Sequence, residues 1–315
     1  MRLAIVIPTY NRSASLARTL RSILAARVPE GLEITVAAID NRSTDDTRAV
    51  VEKFSEKSGG IVQYVPEDRN QGRSFALNTG IRKTESDLVG FVDDDEEIDE
   101  NWLPIVASRF SDPKIDYIGG RYLPCWERKP PAWVNHPHTR TAIGWADFGD
   151  RARPYSDHGF DGLLIGGNCV LRRACFAKAG LYSNRLGRKG TRLFAGEDAD
   201  MHERLIAAGL QGVYLPELVV YHHIPASRLT KRYMRRWAFW ASASAGYMMR
   251  ERMQSSPHLC GLPRYMYGNA ARSPLRLLQA VVSKKGSAET FHCELALWRF
   301  AGTLYGRHLL FGLAR

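Results

Sequence analysis

Three consecutive aspartates, Asp93, Asp94 and Asp95, followed by Glu96 and Glu97, end the apolar run 88–92. Carboxylates crowded in this way repel one another unless solvent or a cation screens them. Hard oxygen ligands at one-residue spacing suit Mg²⁺ or Mn²⁺, which in turn bridges substrate phosphates. A solvated acidic turn has the same composition, so the aspartates need company to mean more. Asp40, which ends a second apolar run, can accept from a pyrimidine imide or from ribose hydroxyls. It can equally close an Asx turn with Asn41. Arg73 offers a guanidinium suited to a diphosphate or a ribose, or else to a surface ion pair with Glu67 or Asp68. The pair Glu197-Asp198 opens an amphipathic segment, where acids are ordinary helix N-terminal residues but where a carboxylate can also serve as a base.

The elements that must position these residues are legible. Runs 3–7, 34–39, 62–65 and 88–92 are apolar on both alternating faces and read as strands buried on both sides. Between them the spacing predicts helices: one capped by Ser13 with Leu16, Leu20, Ile23 and Leu24 inward, one from Asp45 or Asp46 with Val50, Val51 and Phe54 inward, and one over 72–81. This alternation fits βαβ units and a parallel α/β sheet. Each strand ends in polar residues: 9–12, 40–41, 67–70 and 93–95. Four such endings on one rim describe a ligand crevice. A later helix begins at Gly196-Glu197-Asp198, with Met201, Leu205 and Ile206 on one side.

The segments PTYNR (8–12), DNRSTDDT (40–47), EDRNQGRSFALNTGI (67–81), FVDDDE (91–96), GGNCVLRR (166–173), GEDADMHERLIAAG (196–209) and VYLPELVVYHH (213–223) resemble, in order and spacing, an inverting family-2 glycosyltransferase. The resemblance covers most of residues 1–225. It implies a GT-A-type Rossmann-like nucleotide-binding sheet with helices on both faces, followed by a helical C-terminal extension. The implied division is a nucleotide-sugar half (1–122), an acceptor half (123–225) and a basic, mainly helical region (226–315). It further implies a nucleotide-sugar site built from Pro8, Thr9, Tyr10, Arg12, Asp40, Asn41, Asp68, Arg73, Asp93 and Asp94. Asp95 and His222 are the implied ligands of Mn²⁺ or Mg²⁺, with His223 an alternative register for the histidine. Gly166, Gly167 and Asn168 are the implied acceptor-side wall, where glycines permit close approach of a sugar. Asp198 is the implied general base, with Glu197 beside it. The implied donor is a nucleotide-diphosphate sugar, a UDP-sugar being favoured, and the acceptor a hydroxyl of a glycan or a lipid-linked molecule. Two other readings use the same residues: a non-catalytic nucleotide-binding scaffold, and a sugar nucleotidyltransferase. The absence of a glycine-rich, lysine-containing loop after the first strand weakens the second.

Composition sets further bounds. The chain has 315 residues, 44% of them apolar, enough for a substantial core. Its five cysteines form no CxxC pair, which disfavours a disulfide framework and fits a reducing, cytoplasmic setting. The net charge of +11 lies wholly in the tail: residues 226–315 carry 15 Lys/Arg against 3 Asp/Glu. That asymmetry points to an anionic partner, and without a nucleic-acid module a membrane inner face is preferred to nucleic acid. The longest uncharged stretch in the tail, 237–249, has 13 residues, against the roughly 20 that span a bilayer. A helix expected over 229–252 sets Tyr233, Trp237, Trp240 and Ser244 on one face beside Lys231, Arg232, Arg235 and Arg236. That face could lie on a membrane or pack in a core. Further helices are expected over 274–282 and 288–310. The proline- and tryptophan-rich stretch 123–161 reads as either an acceptor lid or a satellite core.

Overall fold

A computed structural model describes residues 1–188, 193–251, 258–259, 262–283 and 287–308. The chain begins with β1 (Arg2–Thr9), α1 (Ser13–Ala25), β2 (Glu33–Asp40), α2 (Thr47–Lys57), β3 (Val62–Pro66), α3 (Arg73–Lys83) and β4 (Leu88–Phe91). It continues through β5 (Glu96–Ile98), α4 (Trp102–Phe110), β6 (Tyr117–Trp126), α5 (Pro137–Ile143), β7 (Arg153–Pro154), β8 (Cys169–Arg172), α6 (Cys175–Ala179), α7 (Glu197–Ala207) and β9 (Gly212–Ile224). The C-terminal region holds α8 (Lys231–Glu251), β10 (His258–Leu259), β11 (Leu262–Pro263), α9 (Arg264–Val282) and α10 (Ser287–His308).

The main sheet has the order β3-β2-β1-β4-β8-β6-β9-β5, with β7 paired to β9. Its first four strands are parallel, as the βαβ spacing predicts. The rest is antiparallel: β8 against β4 and β6, and β5 and β7 against β9. The period-two alternation of the buried strands sorts their side chains cleanly. Leu3, Ile5, Ile7, Val36 and Ala38 pack on one face with Leu16, Leu20 and Ile23 of α1 and Trp102, Leu103 and Val106 of α4. Val6, Ala37, Ile39, Val89 and Phe91 pack on the other with Ala76, Leu77 and Ile81 of α3 and Met201 and Leu205 of α7. Both faces are thus covered, and ligand access is left to the strand ends.

Two expectations need correction. The N-terminus of α1 carries no side-chain cap from Ser13. Instead the Ser13 backbone N–H donates to Asp45 Oδ2 (2.9 Å), and the same carboxylate accepts from the Thr47 N–H (3.1 Å) at the start of α2. One anion serves two helix N-termini. Burial opposes its charge, but the bonds from Thr47 and Ser13 together outweigh this and lower its pKa. In α7 the third inward position is His202, whereas Ile206 is 40% exposed.

Two compact units emerge. The first comprises Met1–Cys125, Ala146–Gly190 and Glu197–His223; the second comprises Trp126–Trp145, Thr191–Gly196 and Ile224–Arg315. The expected boundary after residue 225 lies beside the junction at 223/224, but 126–145 joins the C-terminal unit. In that unit Trp133 is buried edge-on against Phe291 (5.2 Å) in a core with Val134, Leu229, Met234 and Leu295. This part of the proline- and tryptophan-rich stretch is therefore a satellite core. Glycines bring α8 and α10 together. A Cβ at Gly302 would strike the Phe239 carbonyl, and one at Gly306 the Ala243 carbonyl. Tyr233 and Trp237 pack against the same core, and Trp240 lies edge-on to Tyr305 (6.0 Å). The aromatic face of α8 is consequently a packing face.

His202 sits edge-on to Tyr155 (4.8 Å), and burial pushes its pKa down to about 4. Folding thus favours the neutral ring. The stabilisation is complete above the unfolded value near 6.5 and is lost as pH falls towards 4. Urea unfolding should show about 2 kcal/mol lost between pH 7 and pH 5 through this group. His202→Gln should lose correspondingly less over the same interval, and an unchanged pH dependence would contradict the assignment.

Candidate active site

The aspartates lie in a tight turn between β4 and β5, closed by the Glu96 N–H donating to the Asp93 carbonyl (3.2 Å). Residues from β1 and the start of α1 grip this turn. Thr9 Oγ1 donates to Asp94 Oδ2 (2.8 Å), while Arg12 Nη1 reaches Asp94 Oδ1 (2.9 Å) and Asp95 Oδ2 (2.8 Å). Burial works against the charge on Arg12, but Asp94 and Asp95 outweigh it and raise its pKa.

Arg73, at the start of α3, ties the turn to the acids of α7. Its Nη2 lies 2.9 Å from Asp93 Oδ1, and its Nη1 lies 3.0 Å from both Glu197 Oε1 and Asp198 Oδ1. This is a buried bridge rather than a surface pair with Glu67 or Asp68. Despite burial, Asp93, Asp198 and Glu197 push its pKa far up.

The rims of β2 and β3 divide the expected nucleotide residues into two groups. Asp40 is buried, accepting from Tyr64 Oη (2.8 Å) and from the Ser43 N–H (2.8 Å) in an Asx-type turn. Burial, then this bond to Asp40, pushes the Tyr64 pKa up to about 12. Asn41 is a strut between the ends of β2 and β3 and the start of α3. Its amide nitrogen donates to the carbonyls of Glu67 (3.3 Å) and Asn70 (2.7 Å), and its oxygen accepts from the Gly72 N–H (2.6 Å). Gly72 has φ +146°, open essentially to glycine alone, so this loop leads into α3 with Arg73 aimed inward. Asp68 is exposed; the buried acid at the end of β3 is Glu67, which accepts from the Asn70 N–H (3.0 Å) and from Thr79 Oγ1. Pro8 is half-buried at the end of β1, and Tyr10 is 40% exposed just beyond it.

Gly166 and Gly167 make room, but for the protein's own acids. A Cβ on Gly166 would collide with the Asp198 carboxylate, and one on Gly167 would lie 2.5 Å from Glu96 Oε1. Asn168 is fully buried: Trp102 Nε1 donates to its oxygen (2.8 Å), and its nitrogen donates to the carbonyls of Leu218 (2.8 Å) and Arg121 (3.1 Å). Its amide is satisfied within the fold. Strand register resolves the two histidines, with Glu96 opposite His222. His222 Nε2 lies 3.6 Å from Asp95 Oδ2, whereas His223 pairs with Glu97.

Asp93, Asp95 and Glu96 offer oxygens that all lie within 4.8 Å of one another, a set fit for a hard divalent cation. Charge balance supports that fit. Around Arg12 and Arg73 stand six acids: Asp93, Asp94, Asp95, Glu96, Glu197 and Asp198. Burial, reinforced by Asp93 and Asp95, holds the Glu96 pKa far above the ordinary range. Burial and Asp95, opposed by Arg12, push Asp94 up to about 6, and burial and Asp198, opposed by Arg73, push Glu197 up to about 7. Glu96 is the residue that sequence reasoning left unassigned. The available signal was its place within the acidic run, but its orientation depends on the β5–β9 register.

A mixed sheet covered on both faces, with an acidic turn after β4 and acids opening α7, defines a GT-A fold. Residues 4–180, more than half of the chain, match the family described as Glycosyl transferase family 2, and the chain belongs to that family. The glycosyltransferase AglE of Haloferax volcanii is 28% identical over 117 residues, 37% of this chain and 38% of AglE. The succinoglycan biosynthesis protein ExoM of Rhizobium meliloti is 25% identical over 254 residues, 80% of this chain and 76% of ExoM. Among solved structures, the mannosyltransferase PcManGT from Pyrobaculum calidifontis, in complex with GDP-Man and Mn²⁺, superposes with a TM-score of 0.62. That match covers 96% of this chain and 86% of that chain, at 17% identity, a likeness of fold.

Removing one partner from a buried ionic cluster leaves uncompensated charge, typically costing about 3–5 kcal/mol. Arg73→Gln should destabilise the first unit by about that much in urea unfolding, and Arg73→Lys by less. A loss below about 1 kcal/mol would show the bridge to be weak.

Proposed function

We propose that this chain is a metal-dependent, inverting glycosyltransferase that moves a sugar from a nucleotide-diphosphate sugar to a hydroxyl of a glycan or lipid-linked acceptor. The observation that carries this reading is Arg73 joining Asp93 of the turn to Asp198 and Glu197 of α7 in one largely buried cluster. Asp40 and Tyr64 line the nucleotide side, with Pro8, Thr9 and Tyr10 beside them. A UDP-sugar is the favoured donor, and PcManGT and AglE supply analogy rather than substrate.

Asp93, Asp95 and Glu96, with His222 adjacent, would hold Mn²⁺ or Mg²⁺, which supplies Lewis-acid stabilisation of the leaving diphosphate. Arg12 keeps the turn in place, and Arg73 fixes the plane of the Asp198 carboxylate. Asp198 accepts the proton of the acceptor hydroxyl. The hydroxyl oxygen then bonds to the anomeric carbon as the carbon–oxygen bond to phosphate breaks on the opposite side, inverting the centre. Glu197, buried beside it, retains a proton to higher pH and can donate a hydrogen bond to the acceptor. A lipid-linked or envelope acceptor would put the enzyme in the cytoplasm against the inner membrane face, with residues 1–225, apart from 126–145, catalytic and 226–315 the attachment region.

General-base removal typically costs 10²–10⁴-fold. Asp198→Asn should lower turnover by about that factor while donor affinity, measured by calorimetry, changes only a few-fold. Unchanged turnover with normal donor binding would remove Asp198 from this role. The released product separates the readings further: a nucleoside diphosphate for sugar transfer, pyrophosphate for a nucleotidyltransferase.

A further inference from the structure

α9 keeps its apolar residues in solvent. Leu275, Leu278, Val281 and Val282 are 61%, 60%, 56% and 72% exposed. At 3.6 residues per turn, Pro274, Leu275, Leu278 and Val282 fall within an arc of about 100°, with Val281 at its border. The face that packs inward is a different one, centred on the buried Ser273 and Ala280. Arg272 is exposed about 60° beyond the Leu275 edge of the apolar arc and Arg276 about 100° beyond it, and α9 carries three arginines and no acid. The tail around it holds 15 basic residues against 3 acidic ones. A contiguous apolar stripe in water marks a contact surface, and an acid-free helix bearing arginines in a strongly basic tail complements anionic phosphate headgroups. No helix among the described residues is long and apolar enough to cross a membrane.

We propose that the C-terminal half of α9 is an interfacial anchor that lays Leu275, Leu278, Val281 and Val282 into an anionic lipid leaflet, with Arg272 on the flank at headgroup level and Arg276 adding to the positive field above it. This deepens the membrane attachment read above by assigning it to one helix. The more obvious candidate, α8, spends its aromatic face on the core.

The full chain would be floated with phosphatidylglycerol–phosphatidylcholine vesicles and with phosphatidylcholine vesicles, at low and high salt. The expected result is binding to the anionic vesicles that weakens with salt. It should fall at least tenfold in Leu278→Glu/Val282→Glu and also in Arg272→Glu/Arg276→Glu. All four side chains are exposed, so circular dichroism and donor binding should stay unchanged. Retention of sugar-donor binding would separate failure of the anchor from failure of the catalytic reading. Absence of vesicle binding at low salt, or binding undiminished in the Leu278→Glu/Val282→Glu variant, overturns the proposal. So does light scattering showing a dimer that this variant dissociates without any vesicle binding, which would make the stripe a self-association face.

Discussion

The buried guanidinium of Arg73 is the contact on which the site depends. It sits between a carboxylate of the β4–β5 turn and two carboxylates of α7, drawn from parts of the chain far apart in sequence. In a low-dielectric interior neither sign of charge would be tolerated alone. Together they tie the turn to α7 through contacts of 2.9–3.0 Å. The neighbouring strut Asn41 and the positive-φ Gly72 exist to deliver that arginine. Arg12 repeats the arrangement on Asp94 and Asp95.

Even so, two cations do not balance the acids. Asp94 and Glu197 are pushed towards neutrality, and Glu96 further. A fold that keeps this many carboxylates buried at the rim of a sheet carries electrostatic strain that a divalent ion would relieve. The acids best placed to receive it, Asp93, Asp95 and Glu96, are adjacent in sequence, and the antiparallel pairing of β5 with β9 brings His222 next to them.

Much of this was legible in the sequence. Leu3–Ile7 and Leu88–Phe91 announce buried strands because both alternating faces are apolar, and the polar residues at their ends announce the rim. The helix over 13–25 follows from inward positions such as Leu16 and Leu20, and the one over 73–83 from its spacing between strands. What could not be read were partner choices made over long sequence separations. Asn41 and Asn168 have the residue type of ligand contacts, yet their amides are satisfied by remote backbone groups. Ser13 has the residue type of a helix cap, yet Asp45 supplies that bond from another loop. Gly166 and Gly167 signal close approach correctly, but what approaches is Asp198 and Glu96. In the tail, α8 and α9 both look amphipathic, and only the packing of α8 on α10 shows which one keeps apolar surface in solvent.

The most direct test of the central claim is ligand-observed NMR of donor binding, using UDP-, GDP- and dTDP-sugars with and without a divalent ion. Mg²⁺ serves for the spectra, with Mn²⁺ checked by calorimetry. The account predicts that one nucleotide class binds, that binding strengthens at least tenfold with the ion, and that Asp95→Ala and Glu96→Gln each abolish the metal-dependent part. Equal binding with and without the ion in the unmodified protein, or no binding of any nucleotide sugar, would contradict it.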